Sequence, residues 1–238
     1  MDMQGSAATN VEPGRNAKAV YVFEVPVRVW HVTHALSILT LAVTGYLIAN
    51  PLTSTGGEAS EHFLMGNLRM IHLIAAYVFT IGFAVRAYWA IVGNKYAREL
   101  FVLPVWSLHW WRDLYEEVRY YLFLRKDSPP AIGHNALAQA AMWIFNVILG
   151  VFMIATGFAL HGEALGLGSW ADTVFGWLIP LLGGAQSVRM WHLLGMWLFI
   201  VFSIIHIYMA WRAEFMGPQT SISTIVNGWR VQRDRRRG

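Results

Sequence analysis

Three stretches of this chain contain no Asp, Glu, Lys or Arg: between Arg28 and Glu58, between Asp127 and Glu163, and between Arg189 and Arg212. About 20 apolar residues wound as a helix cross the roughly 30 Å hydrocarbon core of a bilayer. In that solvent every backbone N–H and C=O has to be paired within the protein, which leaves the helix as the natural conformation for each run. A fourth run, from Met70 to Gly93, is broken only by Arg86 near its end, where a long side chain can reach the headgroups. The runs predict four transmembrane helices, at about 29–50, 68–92, 136–160 and 189–211. Thr173–Val188, interrupted by Pro180 and Gly183-Gly184, is too short and too broken to cross and reads as interfacial. The expected fold is an all-α integral membrane protein, a four-helix bundle. A polar tail (1–25), a membrane domain (26–215) and a basic tail (216–238) follow one another along the chain.

With 56% hydrophobic and 13% charged residues, the composition lies outside the range of soluble domains. The segment through Lys18 is polar and lacks the apolar core of a cleaved targeting peptide. Of the 18 Lys and Arg, only Arg69 and Arg189 fall on one side of the four-span arrangement, which leaves sixteen on the side of the termini. By the positive-inside rule both termini are cytoplasmic. The basic C-terminal cluster is then an anchor at the lipid surface and not a nucleic-acid site. In Val105–Lys126, Leu108, Trp111, Leu114, Tyr115, Val118 and Leu122 recur at spacings of three and four between charged residues. That pattern predicts an amphipathic helix lying on the membrane.

Ionisable rings inside or at the rim of apolar spans are costly unless something binds them. Four histidines are so placed: His31, His72, His192 and His206. The last two are fourteen residues apart, close to four helical turns, so they leave one face of their helix about 21 Å apart. Sorted by depth, the four form two pairs, His31 with His206 near the cytoplasmic face and His72 with His192 near the outer face. Three of them end an Arg-x-x-His string, from Arg28, Arg69 and Arg189, with the Arg on the water side; for His206 that side holds Arg212. Two axial imidazoles with cationic donors toward water suit a haem iron and its propionates. His31, His72, His192 and His206 are therefore the candidate iron ligands, and Arg28, Arg69, Arg189 and Arg212 the candidate propionate contacts. His34 lies one turn deeper than His31 and has no Arg three residues before it; His62, His109, His134 and His161 fall in loops or at helix rims and read as structural. The chain has no cysteine, which excludes iron–sulfur clusters and covalently attached haem, so a haem here is held non-covalently as haem b.

Several strings look like one known family. Pro26-Val-Arg-Val-Trp-His31, Ala42-Val-Thr-Gly-Tyr46, Arg69-Met-Ile-His72-Leu, Met190-Trp-His192-Leu-Leu-Gly-Met-Trp, Ile205-His206-Ile-Tyr and Phe215-Met-Gly-Pro-Gln-Thr-Ser-Ile-Ser-Thr resemble the b-type cytochrome subunit of membrane-bound nickel–iron uptake hydrogenases. The resemblance covers about residues 20–230 and extends more weakly to the transmembrane cytochrome of formate dehydrogenases. It implies a four-helix cytochrome with two b haems that anchors a periplasmic hydrogenase, small and large subunits, and passes electrons to quinone. Such a subunit carries no hydrogen-splitting centre of its own. The alternatives are a cytochrome of another quinone-linked complex, such as formate dehydrogenase, and a His-lined metal or proton transporter. The second is disfavoured because no intramembrane Asp or Glu accompanies the histidines.

Overall fold

The computed structural model describes residues 18–52, 63–126, 131, 133–216 and 220–232. His62, residues 1–17 of the N-terminal tail, and residues 217–219 and 233–238 of the C-terminal tail with its Arg233–Arg237 cluster lie outside the described residues. A short strand β1 (Lys18–Tyr21) leads into α1 (Val25–Ala49) and α2 (Leu64–Val92). The one-turn α3 (Lys95–Arg98) and the amphipathic α4 (Leu108–Tyr121) follow. The third span, Ala136–Leu165, is built from α5 (Ala136–Met142), a π-helical turn (Trp143–Ile148) and α6 (Leu149–Leu165). Short α7 (Trp170–Phe175) and α8 (Leu178–Leu181) connect it to α9 (Ala185–Met216), and α10 (Ile222–Asn227) and β2 (Trp229–Gln232) close the chain.

Four helices are thus long and apolar enough to cross a membrane, the four that the charge-free runs predict. α9 extends beyond its expected ends by four residues at the start and five at the finish, α1 and α2 each start four residues early, and the third span runs five residues longer, because rim residues continue the helices past the apolar runs. The faces are arranged for lipid. Along α1, Val29, Val32, Leu36, Leu39 and Val43 point outward, while His34, Ser37 and Thr44 are buried. Along α2, Ile74, Val78, Ile81 and Val85 face out and Ala75 and Phe79 face in. An apolar exterior around small and polar inward positions is what a lipid solvent selects. On α4, Leu108, Trp111, Tyr115 and Leu122 are exposed as expected for a helix on the membrane surface, and Trp110, Glu117 and Tyr120 turn inward.

Two features differ from the sequence reading. The tails are tied together: Lys18–Tyr21 pairs antiparallel with Trp229–Gln232, Tyr21 opposite Trp229. Gly228, at φ 87°, receives the N–H groups of Val22 and Phe23 on its carbonyl; an added Cβ would stand 2.6 Å from the Tyr21 ring. Glu24 accepts from Trp89 Nε1 and Asn94 N–H, Arg28 donates to the Val226 carbonyl, and Arg230 donates to that of Gly133. The first and last described segments, β1 and β2, therefore meet at the end of the bundle where α1 begins and α2 ends. Arg86 also departs from expectation. Instead of reaching outward it is 3% exposed, donates to the Ala97 carbonyl and lies over the Trp30 and Phe101 rings. The Trp30 and Phe101 rings shield its charge from solvent.

The interfacial connection packs on α6 through one close approach. A Cβ on Gly162 would come within 2.5 Å of the Asp172 backbone nitrogen and 2.8 Å of the Ala171 carbonyl carbon. The obstacle is backbone, which cannot rotate aside. Gly162→Ala is expected to push α7 off α6 and cost about 1–3 kcal/mol, as overpacking does. A fall in the apparent unfolding temperature of the detergent-solubilised chain measures it; an unchanged temperature would show that α7 moves freely.

Candidate functional site

The bundle brings His31 and His206 together, one of the two pairs expected from depth. His31 on α1 and His206 on α9 face each other with ring centres 6.3 Å apart and ring planes at 46°. Phe202, one turn before His206, stacks on that ring. Metal–imidazole bonds of about 2 Å put two opposed ligand nitrogens about 4 Å apart and their ring centres roughly 6 Å apart. The observed spacing is that of two imidazoles on opposite sides of one ion.

The other pair is framed differently. His72 Nδ1 lies 2.8 Å from Thr44 Oγ1 of α1, and His192 Nδ1 lies 2.8 Å from Thr156 Oγ1 of α6. A glycine follows each threonine. The point where a Gly45 Cβ would stand is 3.4 Å from both the His72 ring and Met196 Sδ, and Met196 is one turn beyond His192 on α9. A Gly157 Cβ would stand 3.2 Å from the His192 ring. The glycines therefore let two helices approach flat rings edge-on, the close backbone approach for which small residues serve in membranes.

Of the candidate propionate contacts, Arg28 is half-buried with Nε unpartnered, and Arg69 is exposed. Arg189 is held by Glu163 at 2.8 Å. Arg212 is buried beneath the Tyr120, Tyr121 and Phe123 rings, with Nε and Nη1 unpartnered. Burial pushes the Tyr121 hydroxyl up to about 12, so it stays neutral beside that guanidinium. Two further donors escaped the sequence reading: Trp30 Nε1 and the Nε and Nη1 of Arg86 are buried without a partner. Trp30 adjoins His31, and Arg86 lies over the Trp30 ring. Unmade buried donors are costly, and a carboxylate-bearing group between them and the paired imidazoles would satisfy them. The donor set therefore fits a haem.

The remaining described histidines are otherwise engaged. His34 is sandwiched between Trp30 and Phe79 and bonded through Nε2 to Asn146, 3.1 Å away on the π-helical turn. His134 pairs with Glu99, His109 with Asp113, and His161 meets the Tyr77 ring edge-on.

The model of a family described as prokaryotic cytochrome b561 matches residues 22–228. Over 225 residues, 94% of each chain, this sequence is 54% identical to a protein of Azotobacter chroococcum named "Probable Ni/Fe-hydrogenase B-type cytochrome subunit". A protein of the same printed name from Cupriavidus necator is 47% identical over 98% of this chain and 96% of its own. The "Probable Ni/Fe-hydrogenase 1 B-type cytochrome subunit" of Escherichia coli K12 is 47% identical over 90% of this chain and 92% of its own. The chain belongs to the prokaryotic cytochrome b561 family, with the b-type cytochrome subunits of nickel–iron hydrogenases. A b-type cytochrome holds haem b, and four apolar spans make this cytochrome a multi-pass protein of the bacterial inner membrane.

Two of the residues missed in the sequence are on the cytochrome's third span, which has none of the four paired histidines. It gives Asn146 to His34 and Thr156 to His192. Asn146 in the middle of a 35-residue charge-free run was a readable signal, since a polar amide in a span needs a partner. Threonines satisfy themselves on the helix backbone and give no such signal.

Proposed function

We propose that this cytochrome holds two b haems, one between His31 and His206 and one between His72 and His192, and carries electrons from a periplasmic nickel–iron hydrogenase to quinone. The opposed His31 and His206 rings, 6.3 Å apart, are the observation that best supports it. Haem b, when bound, supplies a one-electron iron couple whose potential follows from its axial ligands and the groups around them. The four histidines hold the irons. Arg28, Arg86 and the Trp30 indole offer donors to carboxylates at the inner site, and Arg69 does so at the outer one. Arg189 would have to leave Glu163 to serve there, and Arg212 its ring cage. With both termini cytoplasmic, the His72/His192 site faces the hydrogenase and the His31/His206 site faces the quinone exit. The names of the relatives, as hydrogenase subunits, support a small and a large hydrogenase subunit as partners.

Pyridine haemochrome analysis of the purified chain is expected to return two haems per chain with a low-spin bis-histidine spectrum. One haem per chain would overturn the pairing. A methionine-ligated spectrum would move a ligand to Met196, whose sulfur lies against Gly45 as the His72 ring does. Membranes in which formate but not hydrogen reduces the cytochrome would assign it to the other quinone-linked complex.

A further inference from the structure

The His72 and His192 rings are fixed by the same device, used once on each. Thr44 Oγ1 donates to the Thr40 carbonyl at 2.6 Å, and Thr156 Oγ1 donates to the Phe152 carbonyl at 2.8 Å. A threonine hydroxyl has one proton. With that proton committed to the backbone four residues earlier, each oxygen can only accept from the imidazole nitrogen 2.8 Å away. Nδ1 of both histidines is therefore the protonated nitrogen, and Nε2 carries the lone pair. A metal-binding imidazole requires that tautomer, and the partner of the other ring nitrogen sets it. Each threonine is followed by a glycine against the same ring and then by an aromatic residue, Thr44-Gly45-Tyr46 and Thr156-Gly157-Phe158. The two copies come from different helices, α1 and α6, and act on different helices, α2 and α9.

We infer that Thr44 and Thr156 are positioning residues for the outer haem: they lock His72 and His192 as Nε2 ligands, hold the ring planes, and raise the electron donation of both imidazoles to the iron. Among the described residues no comparable threonine bond is seen at His31 or His206, so the device belongs to one site of the two. A hydrogen bond accepted from Nδ1–H makes the ring a stronger donor, which favours ferric iron and lowers the site's potential. Removing it does the reverse.

The inference rests on the proposed ligation of a haem by His72 and His192, and the test separates the two. In the wild-type chain, a redox titration and low-temperature electron paramagnetic resonance first establish two bis-histidine haems; failure at this stage defeats the ligation itself. Thr44→Val and Thr156→Val, singly and together, are then compared with Thr44→Ser and Thr156→Ser. The expected result is a rise in the outer haem's midpoint potential, a shifted outer-haem resonance, and about tenfold weaker outer-haem retention, in the range for loss of a ligand's hydrogen-bond partner. The inner haem's potential and resonance stay fixed, and the serine variants return both outer signals to wild type. Unchanged outer signals in the double valine variant, or equal shifts with serine and valine, would overturn the assignment. Where a valine variant fails to accumulate, its serine counterpart decides: a wild-type outer spectrum supports the role of the hydroxyl, and a lost one refutes it.

Discussion

His206→Ala and His72→Ala, each in membranes containing the hydrogenase, are expected to separate haem reduction from quinone reduction. Without His206 the inner site loses an axial ligand; hydrogen still reduces the outer haem, and quinone reduction falls to background. Without His72 both signals disappear. The reason is distance: the two ligand positions on α9 are fourteen residues, about 21 Å, apart along the helix axis. An electron donor outside the membrane is farther still from the inner site, so the outer site cannot be bypassed. Haem content measured on the same membranes guards against simple loss of the protein. Sustained quinone reduction in His206→Ala membranes that lack the inner haem would place the quinone at the outer face and reverse the path.

A reporter at the C-terminus gives the other all-or-none result. With sixteen of the 18 Lys and Arg on the side of the termini, an alkaline phosphatase fused after the last residue is expected to be inactive and a fluorescent protein bright. Because β1 lies against β2, a fluorescent protein at the N-terminus should report the same side. A phosphatase-positive, non-fluorescent C-terminus would invert the molecule and exchange the roles of the two histidine pairs. Split signals from the two ends would contradict the strand pairing.

The spans were legible because lipid imposes a rule that composition alone can express: no charge for twenty residues. The meeting of His31 with His206 was legible for a related reason, since depth follows from position along a span. What could not be read depends on neighbouring helices. Spacing puts Arg189 on the water side of His192, but its partner Glu163 sits at the end of the third span. The run of residues around Arg86 suggests an outward reach, but the inward cage of Trp30 and Phe101 comes from two other segments. Thr44 and Thr156 carry no signature because threonine is at home in any apolar helix. Four-residue strands some two hundred residues apart are too short for periodicity to reveal.

The pairing of those two strands also sets an order on synthesis. Tyr21 cannot find Trp229 until Trp229 has emerged from the ribosome, by which time all four spans, which precede it, have emerged as well. A contact of such long range closes late, after the local helices have formed and packed. Val22, Phe23 and Val27 bury themselves against Tyr96 and Ala97 beside this strand pair. A nascent chain stalled before α10 therefore exposes a partly open apolar seam at the end where β1 should meet β2. Closure of the seam distinguishes a chain made through β2 from one that stops short of it.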